Sequence, residues 1–143
     1  MQVKRPPLTR AEANRIRARL VAAGVRPTRQ RLELGALIFV PGGRHFTAEM
    51  IYREAQAMRF PPSLGTVYNT LNEFARFALL REIALYDAKL WYDTEIGPHF
   101  HYYLEDTEEL ADIPEALLPK IDIPAPAGAR IAAIDIIVRL KPA

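Results

Sequence analysis

The sequence predicts an α+β fold: an N-terminal winged helix-turn-helix domain followed by a small C-terminal α/β domain. Three observations predict it. Residues 10–77 carry four stretches with the apolar spacing of helices, each with its own start signal. The period then changes to that of strands over 79–85 and 89–94, on either side of the turn Tyr86-Asp87-Ala88. Beyond residues 95–98 the segments are short and mostly strand-like. Three helices, the last preceded by a tight turn, and then a hairpin give the winged order, with one further helix in front.

Thr9-Arg10-Ala11-Glu12 has the form of a capping box. Ile16, Leu20 and Val21 continue an apolar stripe, and Gly24 suits the C′ position, so the first helix is expected at about 10–23. Pro27-Thr28 opens a second helix, about 29–39, with Leu32, Leu34, Leu37 and Ile38 facing inward and Pro41-Gly42-Gly43 ending it. His45 is expected in the loop that follows. Thr47 caps a third helix with Glu49 in its first turn, and Pro61-Pro62 stops it. Ser63 caps a fourth, about 64–77. After a hinge at 95–98, strands are expected at 99–105 and 108–113, a brief helix at 114–118, a proline-rich connection at 119–128 and a closing strand over 129–140. The expected domains are therefore 1–94 and 99–143. A module of about 45 residues with three strands cannot cover both faces of its sheet alone. A second copy of the chain is the economical cover, so the C-terminal domain is expected to dimerise.

The net charge of +2 conceals an asymmetry. Residues 1–94 hold 15 Lys/Arg against 8 Asp/Glu, giving +7, whereas residues 95–143 hold 4 against 9, giving −5. Residues 1–31 contain nine basic side chains and a single acid, Glu12. A basic half joined to an acidic half points to a polyanionic partner for the first. There is no cysteine, which excludes disulfides and thiolate metal sites, including a structural zinc held by four cysteines. No apolar run is long enough to span a bilayer, and the N-terminus has no secretory pattern, so a cytoplasmic protein without a membrane partner is expected.

On the fourth helix, Leu64, Val67, Leu71 and Phe74 share one stripe and are expected to pack inward. The opposite face carries Gly65, Tyr68, Asn69, Asn72 and Arg76. Asn bonds adenine bidentately and Tyr meets a phosphate or a thymine methyl, so this face suits a DNA groove. Ser63 and Thr66 add hydroxyls at the positive helix end, a natural phosphate site. Arg26 and Arg29 are candidates for backbone or minor-groove contacts, with Lys4, Arg5 and the arginines of the first helix behind them. An ordinary solvated polar face is the plainer alternative for this helix taken alone.

The chain has three histidines. His99 and His101 alternate on an expected strand, so both rings leave one face. Asp93 precedes the hinge and Asp112 lies on the next strand. Imidazole and carboxylate suit Zn, Mn or Fe(II). One cluster drawing on both domains would let metal occupancy set the angle between them. Spacing alone leaves open whether these residues converge.

Gly24-Val25-Arg26-Pro27-Thr28-Arg29-Gln30-Arg31, Arg44-His45-Phe46-Thr47-Ala48-Glu49 and Thr66-Val67-Tyr68-Asn69-Thr70-Leu71 together resemble the signatures of the ferric uptake regulator (Fur) superfamily. Asn69 after the tyrosine, Trp91-Tyr92-Asp93-Thr94 and the closing stretch 131–140 resemble its Irr, or iron response regulator, branch. The likeness runs from Gly24 nearly to the end of the sequence. It implies a dimeric, sequence-specific DNA-binding regulator, mainly a repressor, that binds a duplex operator and answers to iron status. It also implies one regulatory divalent metal (Fe, Mn or Zn) per subunit between the domains, with His45, Asp93, His99, His101 and Asp112 matching the ligand positions. Irr relatives implicate a His-rich stretch in haem sensing, of which His99-Phe100-His101 keeps a part, so haem at His99 and His101 is a further implication. The Cys-Pro haem motif, the paired Cys-x-x-Cys zinc motifs and a third metal site are absent: Pro98 and Phe100 stand where that third site needs ligands.

Two competing classes follow from the same residues. Asp93, His99 and His101 would suit a non-haem Fe(II) enzyme, but His45 and Asp112 would fill the open positions such chemistry needs, and no separate general base or cofactor loop accompanies them. A metal-independent DNA-binding module with incidental histidines is the other.

Overall fold

The computed structural model describes residues 4–85, 89–97 and 100–143. The expected turn Tyr86-Asp87-Ala88 lies outside the described residues, as do Pro98 of the hinge and His99. The chain divides into two compact units, Met1–Ile96 and Gly97–Ala143.

Among the described residues, the first unit has four helices and a three-stranded sheet. Helix α1 (Arg10–Ala23) starts on the expected capping box: Thr9 Oγ1 accepts from the Glu12 backbone and the Glu12 carboxylate accepts from Thr9 N. Gly24 ends it at φ 87°, a left-handed conformation in which a side chain would be strained. Helix α2 (Arg29–Ile38) is capped by Thr28 and helix α3 (Ala48–Ala55) by Thr47. Helix α4 (Leu64–Arg76) is capped by Ser63, whose Oγ accepts from Thr66 N at 3.1 Å.

Strands β2 (Arg81–Ile83) and β3 (Trp91–Asp93) form the expected antiparallel wing. The sheet holds one strand more than the sequence suggested. Residues His45–Thr47 form β1 and pair with β3 on its other side, giving the order β1-β3-β2. His45 is thus a strand residue and not a loop residue. The signal is short, three residues between a Gly-Gly turn and a helix cap, and the partner strand lies more than forty residues away.

The core gathers Ile16 and Leu20 of α1, Leu34, Ile38 and Phe39 at α2, Ile51 of α3, and Val67, Leu71 and Phe74 of α4, all buried. Phe39 meets Phe74 at 5.7 Å between ring centroids, and Phe46 of β1 stacks on Tyr92 of β3 at the same distance. Each buried side chain of this size contributes about 1.5–3 kcal/mol relative to exposure. Two expected inward positions are corrected. Val21 is 58% exposed and Leu64 36%, because each stands at the margin of its helix's apolar stripe, beyond the reach of the core. Leu37 is half-buried.

In the second unit, β4 (His101–Leu104) lies between β5 (Glu109–Asp112), antiparallel, and β6 (Ile137–Leu140), parallel. A single 3-10 turn, Glu115–Leu117, follows β5. The closing strand is much shorter than the expected 129–140. Only its last four residues pair as a strand, with the four residues of β4, although the Ile136 carbonyl also accepts from His101 N at 3.1 Å.

Helices α1 and α2 meet at a glycine. A Cβ on Gly35 would stand 2.6 Å from Ile16 Cγ2, nearer than packed carbons tolerate. Gly35→Ala should therefore lower stability by about 1–3 kcal/mol despite the better helix propensity of alanine, read as a lower denaturation midpoint. An unchanged or raised midpoint would show that α1 accommodates the methyl group.

Candidate functional site

Helix α4 places its polar residues outward because its apolar stripe is committed to the core. Asn69, Asn72 and Arg76 are exposed or nearly so; Thr66 and Tyr68 are half-buried. Gly65 faces open space, with nothing nearer to an added Cβ than Ser63 Oγ at 3.9 Å. Ser63 Oγ also donates to Thr66 Oγ1 at 3.0 Å, so the two hydroxyls expected to meet phosphate form one cap.

This polar face is already internally bonded. Tyr68 OH donates to Glu49 Oε1 of α3 at 2.6 Å. That bond holds the Glu49 carboxyl below its ordinary range, against the opposing effect of burial. The same bond, with partial burial, holds the Tyr68 phenol above its own. Tyr92 of β3 is fully buried, and its OH donates to Asn72 Oδ1 at 3.2 Å. Burial, then the negative charge of Glu82, pushes the Tyr92 phenol up to about 12. Asn72 is left with its amide hydrogens for an external acceptor. The sequence reading missed Glu49 as a partner of Tyr68. Its place in the first turn of α3 was read only as helix-end electrostatics.

Arg26 and Arg29 lie at the surface. Arg29 pairs with Glu33 at 3.2 Å, and its guanidinium lies 5.0 Å from the centre of the Phe60 ring, in the loop that leads to α4. The Arg26 carbonyl accepts from Arg31 Nη1 at 3.0 Å.

The imidazole and carboxylate side chains form one pair in each unit. In the first, the β1–β3 register sets His45 opposite Asp93. His45 Nε2 lies 2.9 Å from Asp93 Oδ2, and Asp93 Oδ1 accepts from Glu95 N at 2.8 Å. Asp93 is 2% exposed. Thr94 closes the strand end: its Oγ1 accepts from Arg44 N at 2.9 Å, and its N–H donates to the Arg44 carbonyl at 3.3 Å. Arg44 is held in turn by a two-pronged pair with Glu54 and by the Leu37 carbonyl. In the second unit, β4–β5 register sets His101 opposite Asp112, with Nε2 and Oδ1 3.4 Å apart. His101 is 3% exposed.

Both pairs fit a metal's coordination sphere. Two donors each about 2.1 Å from one ion, at angles between octahedral and tetrahedral, stand roughly 3.0–3.4 Å apart. The donor set, imidazole with carboxylate and no thiolate, suits Fe(II), Mn or Zn. Among the sequence-predicted ligands, His45 and Asp93 are brought together, as are His101 and Asp112. His99 lies outside the described residues. The sequence reading did not assign Arg44, Glu54 and Thr94, which fix the end of β1. Arg44 and Thr94 stand beside His45 and Asp93 in the quoted motifs, and that adjacency was the available signal.

The sequence profile of the Ferric uptake regulator family matches residues 22–138. The ferric uptake regulation protein of Synechococcus elongatus is 36% identical over 90 residues, which cover 62% of this chain and 61% of that protein. The peroxide operon regulator of Bacillus subtilis is 33% identical over 94 residues, 65% of this chain and 63% of that protein. The chain thus matches about three fifths of the length of these curated relatives. The structure of the ferric uptake regulator from Pseudomonas aeruginosa with manganese superposes with a TM-score of 0.67 at 18% identity, covering 89% of this chain and 97% of that one. That likeness supports the shared fold. No helix among the described residues is long and apolar enough to cross a membrane.

The Tyr68–Glu49 bond has a pH signature. A carboxylate whose pKa is lowered by folding stabilises the fold above its unfolded value, here 4.5, and loses that contribution as pH falls through the lower folded value. Tyr68→Phe should cost about 1 kcal/mol at neutral pH, and the cost should shrink on acidification below that value. Denaturation of wild type and variant at pH 7 and pH 3 measures it. An equal cost at both pH values would mean that the hydrogen bond does not carry the effect.

Proposed function

The chain belongs to the ferric uptake regulator family, and from that premise we propose that it is a dimeric, sequence-specific DNA-binding transcriptional regulator, mainly a repressor, responsive to iron status. The observation that carries the reading is the cross-strand pairing of His45 with Asp93 at the end of the wing sheet. A buried carboxylate opposite an imidazole, on the wing sheet, is a ligand pair built into the domain that meets DNA.

His45, Asp93, His101 and Asp112, with His99 two residues before His101, are the proposed ligands of one divalent ion, Fe, Mn or Zn, per subunit. Asp93 and His101 are eight residues apart in the chain, a link that can span at most about 28 Å. When bound, the ion supplies charge neutralisation and a fixed crosslink. The protein's part is to hold the imidazoles aimed, and to convert occupancy into a preferred angle about residues 95–98. Operator affinity then changes by the ratio of metal affinities in the two arrangements.

Duplex DNA is the proposed partner of Tyr68, Asn69 and Asn72 at base edges and of Arg26, Arg29, Ser63 and Thr66 at the backbone. Homodimerisation is supported by the second unit, where Val138 and Leu140 on edge strand β6, with Leu117, Ile123 and Ile131, are exposed. An Irr-like haem response through His99 and His101 is the finer proposal, carried by the wording of the motifs. Metal is favoured over haem as the resident ligand because His101 is buried against Asp112. The relatives bear the names of regulators, which favours this reading over an Fe(II) enzyme.

Protein purified without a His tag should carry one divalent ion per chain by elemental analysis, and His45→Ala and His101→Ala should each lose it while remaining dimeric. Undiminished metal in both variants would move the site elsewhere; a titrated Soret band with no bound metal would assign it to haem. With a duplex selected from a random pool by the wild type, Asn69→Ala should weaken specific binding by about tenfold or more. Wild-type affinity in a gel-shift series would remove the reading role from α4.

A further inference from the structure

The first unit contains a cavity of about 300 Å³ away from both the outer face of α4 and the His45–Asp93 pair. The N-terminal segment, the start of α2 and the loop after α3 line it. Its charged lining is four cations, Lys4, Arg5, Arg29 and Arg59, against one acid, Glu33. Glu33 is engaged with Arg29 at 3.2 Å. Three cations thus remain without an acid in the wall. The rest of the lining is apolar: Leu8, Met58 and two prolines.

The wall is a built one. Arg5 N donates to the Ala57 carbonyl at 2.7 Å, pinning the N-terminal segment to the loop after α3. Arg29 and Arg59 both lie over the Phe60 ring, at 5.0 and 5.3 Å from its centroid, so one aromatic side chain positions two guanidinium groups. Arg5 Nη1 is shielded from solvent and has no hydrogen-bond acceptor among the described residues. Burying a charged donor without an acceptor is costly, and an anion beside this guanidinium would supply what it lacks.

We propose that this cavity binds a small organic anion, one with a phosphate or carboxylate head and a compact apolar body. The cations take the head, and Leu8 and Met58 take the body. The volume is that of a small-ligand pocket and admits a molecule the size of a substituted benzene ring. A phosphate of a DNA backbone shares the head's chemistry but would leave the apolar wall uncovered. The proposal shares Arg29 with the proposed DNA contacts but needs no DNA, since the apolar wall of Leu8 and Met58 is what an organic anion would cover.

Nuclear magnetic resonance titration of the full chain tests it, with phenyl phosphate and benzoate as probes and phenol as the neutral control. One or both anions should shift the amides of Arg5, Leu8, Met58 and Arg59 saturably, and phenol should not. Arg5→Gln and Arg59→Gln should each weaken binding by about tenfold, with Arg5→Lys keeping part of it. Two variants in different segments guard against the misfolding of one. Equal shifts from phenol, or shifts along the basic surface that inorganic phosphate reproduces, would overturn the proposal. So would the pattern in which both Gln variants weaken binding to a random-sequence duplex while neither anion shifts the free protein, which would give these cations to the DNA backbone.

Discussion

Three residues of antiparallel pairing, His45–Thr47 against Trp91–Asp93, are the constraint on which the first unit's chemistry depends. The ladder brings together segments almost fifty residues apart and sets a histidine opposite an aspartate at its end. It also stacks Phe46 on Tyr92, which closes the core beneath the sheet. A slip of one residue would turn every side chain of β1 to the other face, separating His45 from Asp93 and exposing Phe46. The Arg44 and Thr94 backbone contacts, with the Arg44–Glu54 pair behind them, guard that register at the strand's open end.

The same core holds α4 to the sheet and to α3. Tyr92 reaches from the wing to Asn72, and Glu49 reaches from α3 to Tyr68, so two of the polar side chains on α4 are held by neighbouring elements before any partner arrives. Fixing a side chain in advance removes part of the entropic cost of recognition. It also places a carboxylate close to the face that would meet a polyanion. If α4 meets DNA as proposed, Glu49 would orient Tyr68 while opposing indiscriminate attraction to phosphate. Asn69 has no such tie among the described hydrogen bonds and is exposed.

The second unit follows a different economy. Its three strands are four residues each, and its edge strand β6 carries exposed Val138 and Leu140. A sheet this small leaves apolar area exposed, which a matching copy would cover in the proposed dimer. Its acidic composition contrasts with the basic first unit, and under the proposed DNA partnership would keep this unit from competing for the same polyanion.

The sequence by itself determined the helices, because their starts and stops are local. A capping box at Thr9, single hydroxyl caps at Thr28, Thr47 and Ser63 and a left-handed Gly24 each act within one turn of chain, and all lie where the residues put them. It also determined the wing's two strands and the donor chemistry of the histidines and aspartates. Tertiary structure alone decided what depends on distant segments. It made His45 a strand residue, cut the closing strand to Ile137–Leu140, left Val21 and Leu64 at the surface and joined Tyr68 to Glu49. Strand pairing and burial are set by which remote backbone and side chains come alongside, and no periodicity within a short window encodes that.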